Sequence, residues 1–267
     1  MDFWGGIKVL LAIDVGNSNI VSGVFYGIDI IAELRIYTDI RKTGDEYAII
    51  ISNFLNQKGI DIKQITGVII SSVVPSVLTQ LKEMSIKWFR EESIIVSSDL
   101  NLGIKILYDN PKELGADRIA NAVAGYSEYG GPVIIVDLGT ATTFDVVSEC
   151  GEFLGGAIAP GIGISIEALT GRTALLPKID LNMPSTAIGK NTLSCMQSGC
   201  YFGFLGQIEE IIKRIKAELP NESKVITTGG LANIIAKESK LIDQIDQDLT
   251  LKGLRIIYDR VILDKYK

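Results

Sequence analysis

The chain contains no histidine among its 267 residues. This absence excludes the mechanisms that depend on an imidazole, namely Ser/His and Cys/His nucleophile pairs, His-ligated zinc hydrolases and histidine proton shuttles. Any proton transfer must therefore be carried out by a carboxylate, a lysine, a tyrosine or a cysteine.

Cysteine is also scarce, with only Cys150, Cys195 and Cys200 in the chain. The three are not spaced as a CxxC motif, and an odd number argues against a framework of disulfides. We therefore expect three buried thiols in a protein of the reducing cytoplasm.

Long apolar runs and clusters of basic residues are absent as well. Runs such as Val9 to Ile13 and Val133 to Val136 are far shorter than a bilayer span, which predicts a soluble protein without a membrane partner. Residues 1–8 precede only a short apolar run and lack the core of a signal peptide, so we interpret them as a short extension. The formal net charge of −6, without a Lys/Arg cluster, argues against nucleic acid as a partner.

Two distant segments of the chain share one pattern, an apolar strand that ends in Asp-x-Gly and continues into small polar residues. The first contains Asp14 and Gly16, and the second contains Asp137 and Gly139. Each is followed by a predicted hairpin, a helix, a further strand and a further helix, in the order β-β-β-α-β-α. The repeat predicts two similar domains, 1–130 and 131–267, each with a mixed sheet flanked by helices, and a cleft between them.

The second half carries an additional helical insertion with one long apolar stripe. This stripe is equally compatible with packing inside its own chain and with packing on a second subunit. Its residues are Leu193, Met196, Cys200, Phe204, Ile208, Ile211, Ile215 and Leu219.

The Asp-x-Gly turns have the residues of a phosphate site. Gly16 lets the backbone approach a ligand, the polar residues 17–19 offer donors, and Asp14 can hold a divalent cation that the phosphates share. One such turn alone is more often an ordinary turn, but the second copy favours a nucleotide clamp. A Gly-Gly pair, Gly229 and Gly230, gives adenosine a flat place to lie. The chain has no GxxxxGK[ST] motif, and its nearest GxGxxG pattern, from Gly161, lacks the last glycine.

In this order, Asp-x-Gly-Asn, Asp-x-Gly-Thr and Thr-Gly-Gly-Leu-Ala resemble the acetate and sugar kinase/Hsc70/actin superfamily, and more narrowly the type III pantothenate kinases of bacteria. The resemblance implies two similar actin/ribonuclease H-like α/β domains, each a mixed five-stranded sheet flanked by helices, with the nucleotide cleft between them. The narrower match is carried by four further segments: residues 108–111 with 115–118, 155–161, 171–177, and 188–192 with 198–199.

This family resemblance implies ATP-dependent phosphorylation of pantothenate to 4'-phosphopantothenate, the first step of coenzyme A biosynthesis, by a cytoplasmic homodimer. It implies that Asp117 accepts the proton of the attacking hydroxyl, that Asp14 organises Mg²⁺ through the phosphates, and that Asp137 binds K⁺ or ammonium. The expected nucleotide-binding residues are Asp14, Val15, Gly16, Asn17, Ser18, Asn19, Ile20, Val21, Thr140, Gly229 and Gly230. The expected pantothenate-binding residues are Tyr108, Gly115, Ala116, Asp117, Arg118 and, across the dimer, Thr192 of the partner subunit.

Several of these residues have an ordinary structural alternative. Asp117 lies at a predicted helix start, where the dipole favours a negative charge but where Asp is also a common cap, here beside Arg118. Tyr108 follows a β-like run, where an aromatic is more often a core residue than a ligand contact, and only its place before Asn110 and Pro111 favours the ligand role. Thr192 is equally expected as a helix cap. Ser18 stands where the family usually has Thr, which keeps the hydroxyl donor and predicts a small change in affinity.

Two other functions remain open at this point. One is a kinase of the same superfamily that acts on a sugar, a glycerol-like alcohol or acetate, although the chain has little room for the larger substrate domains of such enzymes. The other is a non-catalytic, ATP-gated regulator, although no residues are left over for a polymerising surface or a peptide-binding domain.

Overall fold

The computed structural model describes residues 9–265, so the predicted N-terminal extension lies outside the described residues. The chain divides into two compact units. The first comprises the residues up to Gly103, the segment Asp109–Ala124 and the C-terminal segment from Thr250; the second comprises Ile104–Tyr108 and Gly125–Leu249.

The first unit is built on a mixed five-stranded sheet, as the family resemblance implies. Its central strand pairs antiparallel with one neighbour and parallel with the other, in the order β3-β2-β1-β4-β5. The strands are β1 (Val9–Val15), β2 (Asn19–Tyr26), β3 (Asp29–Tyr37), β4 (Ile65–Ser72) and β5 (Ile94–Ile95).

Three helices accompany this sheet: α1 (Gly44–Gln57), α2 (Pro75–Met84) and α3 (Ala116–Tyr129). A capping box of Thr43 and Glu46 begins α1, and Pro75 begins α2. One face of the sheet packs on α1 and α2 and forms a hydrophobic core. Since side chains alternate along a strand, the residues between those core positions, Asp14 among them, belong to the opposite face.

The second unit has a six-stranded sheet in the order β11-β10-β7-β8-β9-β6. It has one strand more than expected, because the short segment Lys105–Ile106 pairs in parallel beside Glu152–Phe153. The strands are β6 (Lys105–Ile106), β7 (Val133–Leu138), β8 (Ala141–Val147), β9 (Glu152–Pro160), β10 (Lys224–Thr228) and β11 (Gln244–Ile245).

The helices of the second unit are α4 (Ile162–Gly171), α5 (Thr192–Glu218) and the single turn α6 (Ala232–Ile235). The long apolar stripe forms α5, whose buried Tyr201, Ile208 and Ile212 belong to the core of this unit. Asn191, not Thr192, is the N-cap, because the Asn191 side chain accepts from the backbone N–H of Ser194 at 2.9 Å. The interpretation of Thr192 as the cap is therefore wrong.

The expectation of three buried thiols is wrong for two of the cysteines. Cys150 lies in the turn between β8 and β9 and Cys195 in the first turn of α5, and both are exposed. Cys200 is half-buried. Turns and helix starts usually lie at the protein surface, and the two cysteines in such positions are therefore exposed.

The C-terminal helix α7 (Leu249–Lys265) makes its contacts in the first unit, although the predicted division at residues 130 and 131 assigns it to the second domain. Leu251 packs against Gly23 of β2, and Tyr258 packs against Gly67 of β4. The domain bounds 1–130 and 131–267 stay a prediction. Within residues 9–265, no helix is both long enough and apolar enough to cross a membrane.

Candidate active site

The conformation of the turn after β1 is fixed by a backbone hydrogen bond within the turn and by hydrogen bonds from one threonine. The N–H of Gly16 donates to the carbonyl of Asn19 at 2.9 Å, and the Thr38 hydroxyl donates to the carbonyl of Gly16 at 2.7 Å. The N–H of Thr38 also donates to the carbonyl of Ser18 at 3.0 Å. Asn17 and Ser18 are exposed, so a fixed turn presents their side chains outward. Thr38 was missed by the sequence analysis, and its only signal is a polar residue directly after the third strand.

Asp14 lies at the end of β1 beside a second polar side chain. In the parallel pairing of β1 with β4, its register partner is Ser71. Ser71 is fully buried, and its hydroxyl has no hydrogen-bond partner within the described part of the chain. A carboxylate next to an unused hydroxyl is a donor set that suits a cation. Of the other predicted nucleotide residues, Val15 and Ile20 are buried in the core, so only their backbone can face a ligand.

Asp117 lies in the first turn of α3. Its Oδ1 accepts from the backbone N–H of Arg118 at 2.8 Å, and the N–H of Ile119 donates to the carbonyl of Gly115 at 3.0 Å. A Cβ atom on Gly115 would lie 2.5 Å from Asp117 Oδ1. The carboxylate therefore folds back over Gly115 and occupies space that only a glycine leaves open.

The segment that carries Asp117 lies close to the turn after β1. The N–H of Val73 donates to the carbonyl of Val15 at 3.1 Å, and a Cβ on Gly115 would lie 3.8 Å from Val73 Cγ1. Val73 thus contacts both segments. The predicted phosphate turn after β1 and the predicted pantothenate residues around Gly115 therefore lie close together in the first unit. Arg118, the next residue of the helix after Asp117, is largely buried, with 7% of its surface exposed.

In the second unit, Asp137 lies near the end of β7, between threonine residues of the two neighbouring strands. Its register partners are Thr143 on β8 and Thr228 on β10, and the buried Thr143 hydroxyl has no hydrogen-bond partner among residues 9–265. Gly229 has a φ of +94°, and a Cβ there would lie 2.5 Å from Asp137 Oδ1. A side chain at residue 229 would therefore fill the space beside the carboxylate.

The turn after β7 is supported by a glycine that the sequence analysis did not assign. A Cβ on Gly161, directly after β9, would overlap the carbonyl oxygen of Thr140. Thr140 itself is exposed, and Gly230 has open space around its Cβ position. The close approach of Gly161 requires a residue without a side chain, which explains a glycine at that position but could not be inferred without the fold.

Tyr108 packs as a core residue on one side. Its ring meets Phe153 edge-on, with 6.0 Å between the ring centroids, and it is half-buried. The ring also lies over Gly155, whose φ is +117°. The alternatives of core residue and ligand contact are therefore compatible for this residue.

Thr192 is exposed at the start of α5 and lines a groove of about 970 Å³ between α4 and α5. The walls of the groove are mostly apolar and include Ile166, Leu169, Met196 and Phe204. Burial raises the pKa of the Cys200 thiol in this groove, which keeps it neutral at physiological pH.

A preformed metal centre of several side chains is not part of the site. Residues 9–265 contain no group of three or more Cys, Asp or Glu side chains placed to hold a metal ion.

Comparison with known proteins decides the family. The family model of type III pantothenate kinase matches residues 10–214. The chain belongs to the type III pantothenate kinase family. It is 50% identical over 252 residues to the type III pantothenate kinase of Moorella thermoacetica, covering 94% of this chain and 99% of that one. It is 49% identical to the enzyme of the same name from Geobacter sulfurreducens, with the same coverage.

Solved structures of low sequence identity share the fold. MreB 5 of Spiroplasma citri, bound to AMPPNP, superposes with a TM-score of 0.57 at 11% identity, over 97% of this chain and 98% of that one. The (R)-2-hydroxyglutaryl-CoA dehydratase component A of Acidaminococcus fermentans gives a TM-score of 0.56 at 11% identity, over 97% of this chain and all of the other. The predicted actin-like α/β fold is confirmed.

The pantothenate kinase family membership also decides the activity. The enzyme transfers a phosphoryl group from ATP to pantothenate, in coenzyme A biosynthesis. The relatives favour this reaction over phosphorylation of a sugar, a glycerol-like alcohol or acetate, and over an ATP-gated regulator without catalysis.

The space above Gly115 yields a test of the site. We expect Gly115→Ala to fold normally, because the Asp117 carboxylate can rotate away, but to lower kcat for pantothenate phosphorylation at least about tenfold through that displacement. The measurement is steady-state kinetics together with thermal unfolding. The matched control is Ser127→Ala, an exposed position on the same helix, which should keep full activity. Equal activity of the two variants would show that the position of the carboxylate is unimportant.

Proposed function

We propose that Asp117 accepts the proton from the primary hydroxyl of pantothenate while that oxygen attacks the γ-phosphorus of ATP. The observation that carries this proposal is the position of the carboxylate, held over Gly115 at the start of α3 and linked through Val73 to the turn after β1. No imidazole is available for the task, so a carboxylate at this place is the group best suited to it.

The proposed step forms the bond from the pantothenate oxygen to the γ-phosphorus and breaks the bond from that phosphorus to the bridging oxygen of ADP. A carboxylate is a weak base toward a free alcohol, but the hydroxyl becomes acidic once its bond to phosphorus begins to form. Proton transfer to Asp117 is therefore late. The main contributions of the protein are alignment and charge stabilisation, as expected for phosphoryl transfer.

We assign the triphosphate to the turn after β1. Thr38 and the Gly16–Asn19 bond fix the backbone of this turn in advance, so binding does not have to order it. The exposed side chains of Asn17 and Ser18 supply donors. Asp14, with the unused hydroxyl of Ser71 beside it, would hold the Mg²⁺ that shields the phosphate charge.

We assign the acid group of pantothenate to Arg118, with Tyr108, Gly115 and Ala116 as further lining. A guanidinium can bind a carboxylate in two parallel hydrogen bonds, and Arg118 directly follows Asp117 in the first turn of α3. On the nucleotide side, Thr140, Gly229 and the exposed Gly230, which has open space at its Cβ position, are the proposed contacts of ATP.

A monovalent cation, K⁺ or ammonium, is the proposed ligand of Asp137. The carboxylate, the unused Thr143 hydroxyl and Thr228 form an all-oxygen donor set, and Gly229 keeps the space beside it open. Such a cation would supply fixed positive charge for the phosphates of ATP.

We also propose that the enzyme is a homodimer that pairs through the groove between α4 and α5. Gly199, Gly203 and Gly206 of α5 have open space around their Cβ positions, so a second helix can approach the backbone there. Thr192 lines the same groove, which suits its predicted role in the pantothenate pocket as Thr192 of the partner subunit. The cytoplasmic location and the absence of nucleic-acid and membrane partners stay predictions.

Removing the proposed proton acceptor gives the most direct test of the chemistry. Asp117→Asn should lower kcat by a factor of about 100 or more, in the range for loss of a general base, while ATP affinity stays within about twofold. Single-turnover phosphoryl transfer and calorimetric ATP binding measure the two quantities separately. Near-normal transfer by this variant would remove Asp117 from the catalytic role.

The cation assignment predicts a dependence on potassium. Replacing K⁺ by tetramethylammonium should raise the KM for ATP, because the phosphates lose a neighbouring positive charge. Asp137→Asn should show the high KM in both salts, and thus no response to K⁺. An unsubstituted enzyme that is indifferent to K⁺, or a variant that keeps the full response, contradicts the assignment.

The dimer proposal predicts the effect of filling the groove. Gly203→Leu should leave the single chain folded, because nothing lies within 4 Å of the added Cβ, but should block the partner and give a monomer in analytical ultracentrifugation. Lys213→Leu places the same side chain at an exposed position of α5 outside the groove and should remain dimeric. A dimer formed equally by both variants would place the interface elsewhere.

A further inference from the structure

The C-terminal helix α7 contacts the sheet of the first unit with one side and helix α3 with another. Leu251 and Tyr258 contact the sheet, and their spacing of two helical turns places them on one side of α7. Thr250 and Gly253 contact α3, and a spacing of three residues also places them on one side. The helix therefore has two contact surfaces, one for the sheet and one for α3.

The sheet-facing surface of α7 lies on the same side of β1 as Asp14. A Cβ on Gly23 would lie 2.8 Å from Leu251 Cδ1, and Gly23 is the register partner of Ala12. Ala12 lies two residues before Asp14, so both belong to one face of the sheet. The Tyr258 hydroxyl donates to the carbonyl of Thr66 at 3.4 Å and fastens α7 further along β4.

The other surface of α7 holds α3 directly behind the first turn that carries Asp117. A Cβ on Gly253 would overlap the carbonyl oxygen of Ala120, so the two helix backbones are in close contact there. Beside this crossing, the Thr250 hydroxyl donates to Asn121 Oδ1 at 2.7 Å. Ala120 and Asn121 are both fully buried, and the crossing leaves them little freedom to shift.

We propose that α7 is the spacer that sets the distance between the phosphate turn after β1 and the carboxylate of Asp117, with Thr250 as a positioning residue for that carboxylate. The inference rests on the proposed role of Asp117. A proton acceptor must come within hydrogen-bond reach of the attacking oxygen, and a misplacement of about 1 Å can cost a factor of up to about 100 in rate. Ala120 and Asn121 lie one turn after Asp117 in α3. Because a helix bends little over one turn, holding these two residues in place also holds the first turn and Asp117.

The experiment removes and restores the hydroxyl of Thr250. Thr250→Val keeps the shape but removes the donor, and kcat should fall about tenfold with the KM for ATP within about twofold. Thr250→Ser keeps a hydroxyl at the same atom and should recover most of kcat. Asp259→Asn removes an ion pair with Arg255 at an exposed position of the same helix and serves as the control, with near-normal kcat even if thermal stability drops.

A double variant separates positioning from general destabilisation. If Thr250 acts through Asp117, then Thr250→Val should lower kcat about tenfold in the unsubstituted enzyme but have almost no effect when combined with Asp117→Asn. The same factor in both backgrounds overturns the positioning role, as does a normal kcat for Thr250→Val. If Asp117→Asn alone is fully active, the proposed proton acceptor fails first, whatever Thr250→Val does.

Discussion

The space over Gly115 allows the Asp117 carboxylate to fold back against the start of α3. Any side chain at residue 115 would compete with that carboxylate for the same volume. The other parts of the proposed site are arranged around this point: Val73 connects it to the turn after β1, and that turn is in turn fixed by Thr38. A weak base can serve in phosphoryl transfer only if its position is fixed, so the packing around Asp117 matters more than its basicity.

The two units use one strand-turn pattern in different ways. In both, a carboxylate lies near the end of the central strand, opposite a hydroxyl residue of the parallel neighbour: Ser71 beside Asp14, and Thr228 beside Asp137. The support of the turn differs. Thr38 donates hydrogen bonds to the first turn, whereas Gly161 approaches the second turn without any side chain. In our proposal, the duplicated framework supplies a phosphate site in one unit and a cation site in the other.

Much of this framework could be predicted because it depends on local signals. The alternation of apolar residues predicts the two hairpins, and the capping-box pattern of Thr43 and Glu46 at the start of α1 is equally local. The repeat predicts two similar domains, and the resemblance of its turn motifs to the kinase and actin superfamily implies the actin-like fold. Each hairpin, cap and turn motif is encoded within a few residues, so it can be identified without knowledge of the tertiary structure.

The features that escaped prediction depend on contacts between distant segments. Nothing local indicates that Thr38 holds a turn twenty residues earlier, that Lys105–Ile106 adds a strand, or that α7 packs in the first unit. The cap of α5 was misplaced by one residue because Asn191 and Thr192 are both good caps, and only the hydrogen bond to Ser194 distinguishes them. Exposure of Cys150 and Cys195 likewise follows from the surface position of a turn and a helix start.

The most direct measurement of the central claim is the crystal structure of the enzyme with pantothenate and a non-hydrolysable ATP analogue. The account predicts that a carboxylate oxygen of Asp117 lies about 2.6–3.2 Å from the primary hydroxyl of pantothenate, with that hydroxyl aimed at the γ-phosphorus. A hydroxyl that lies beyond hydrogen-bond reach of Asp117, or that is bound instead by another carboxylate such as Asp14, would contradict it.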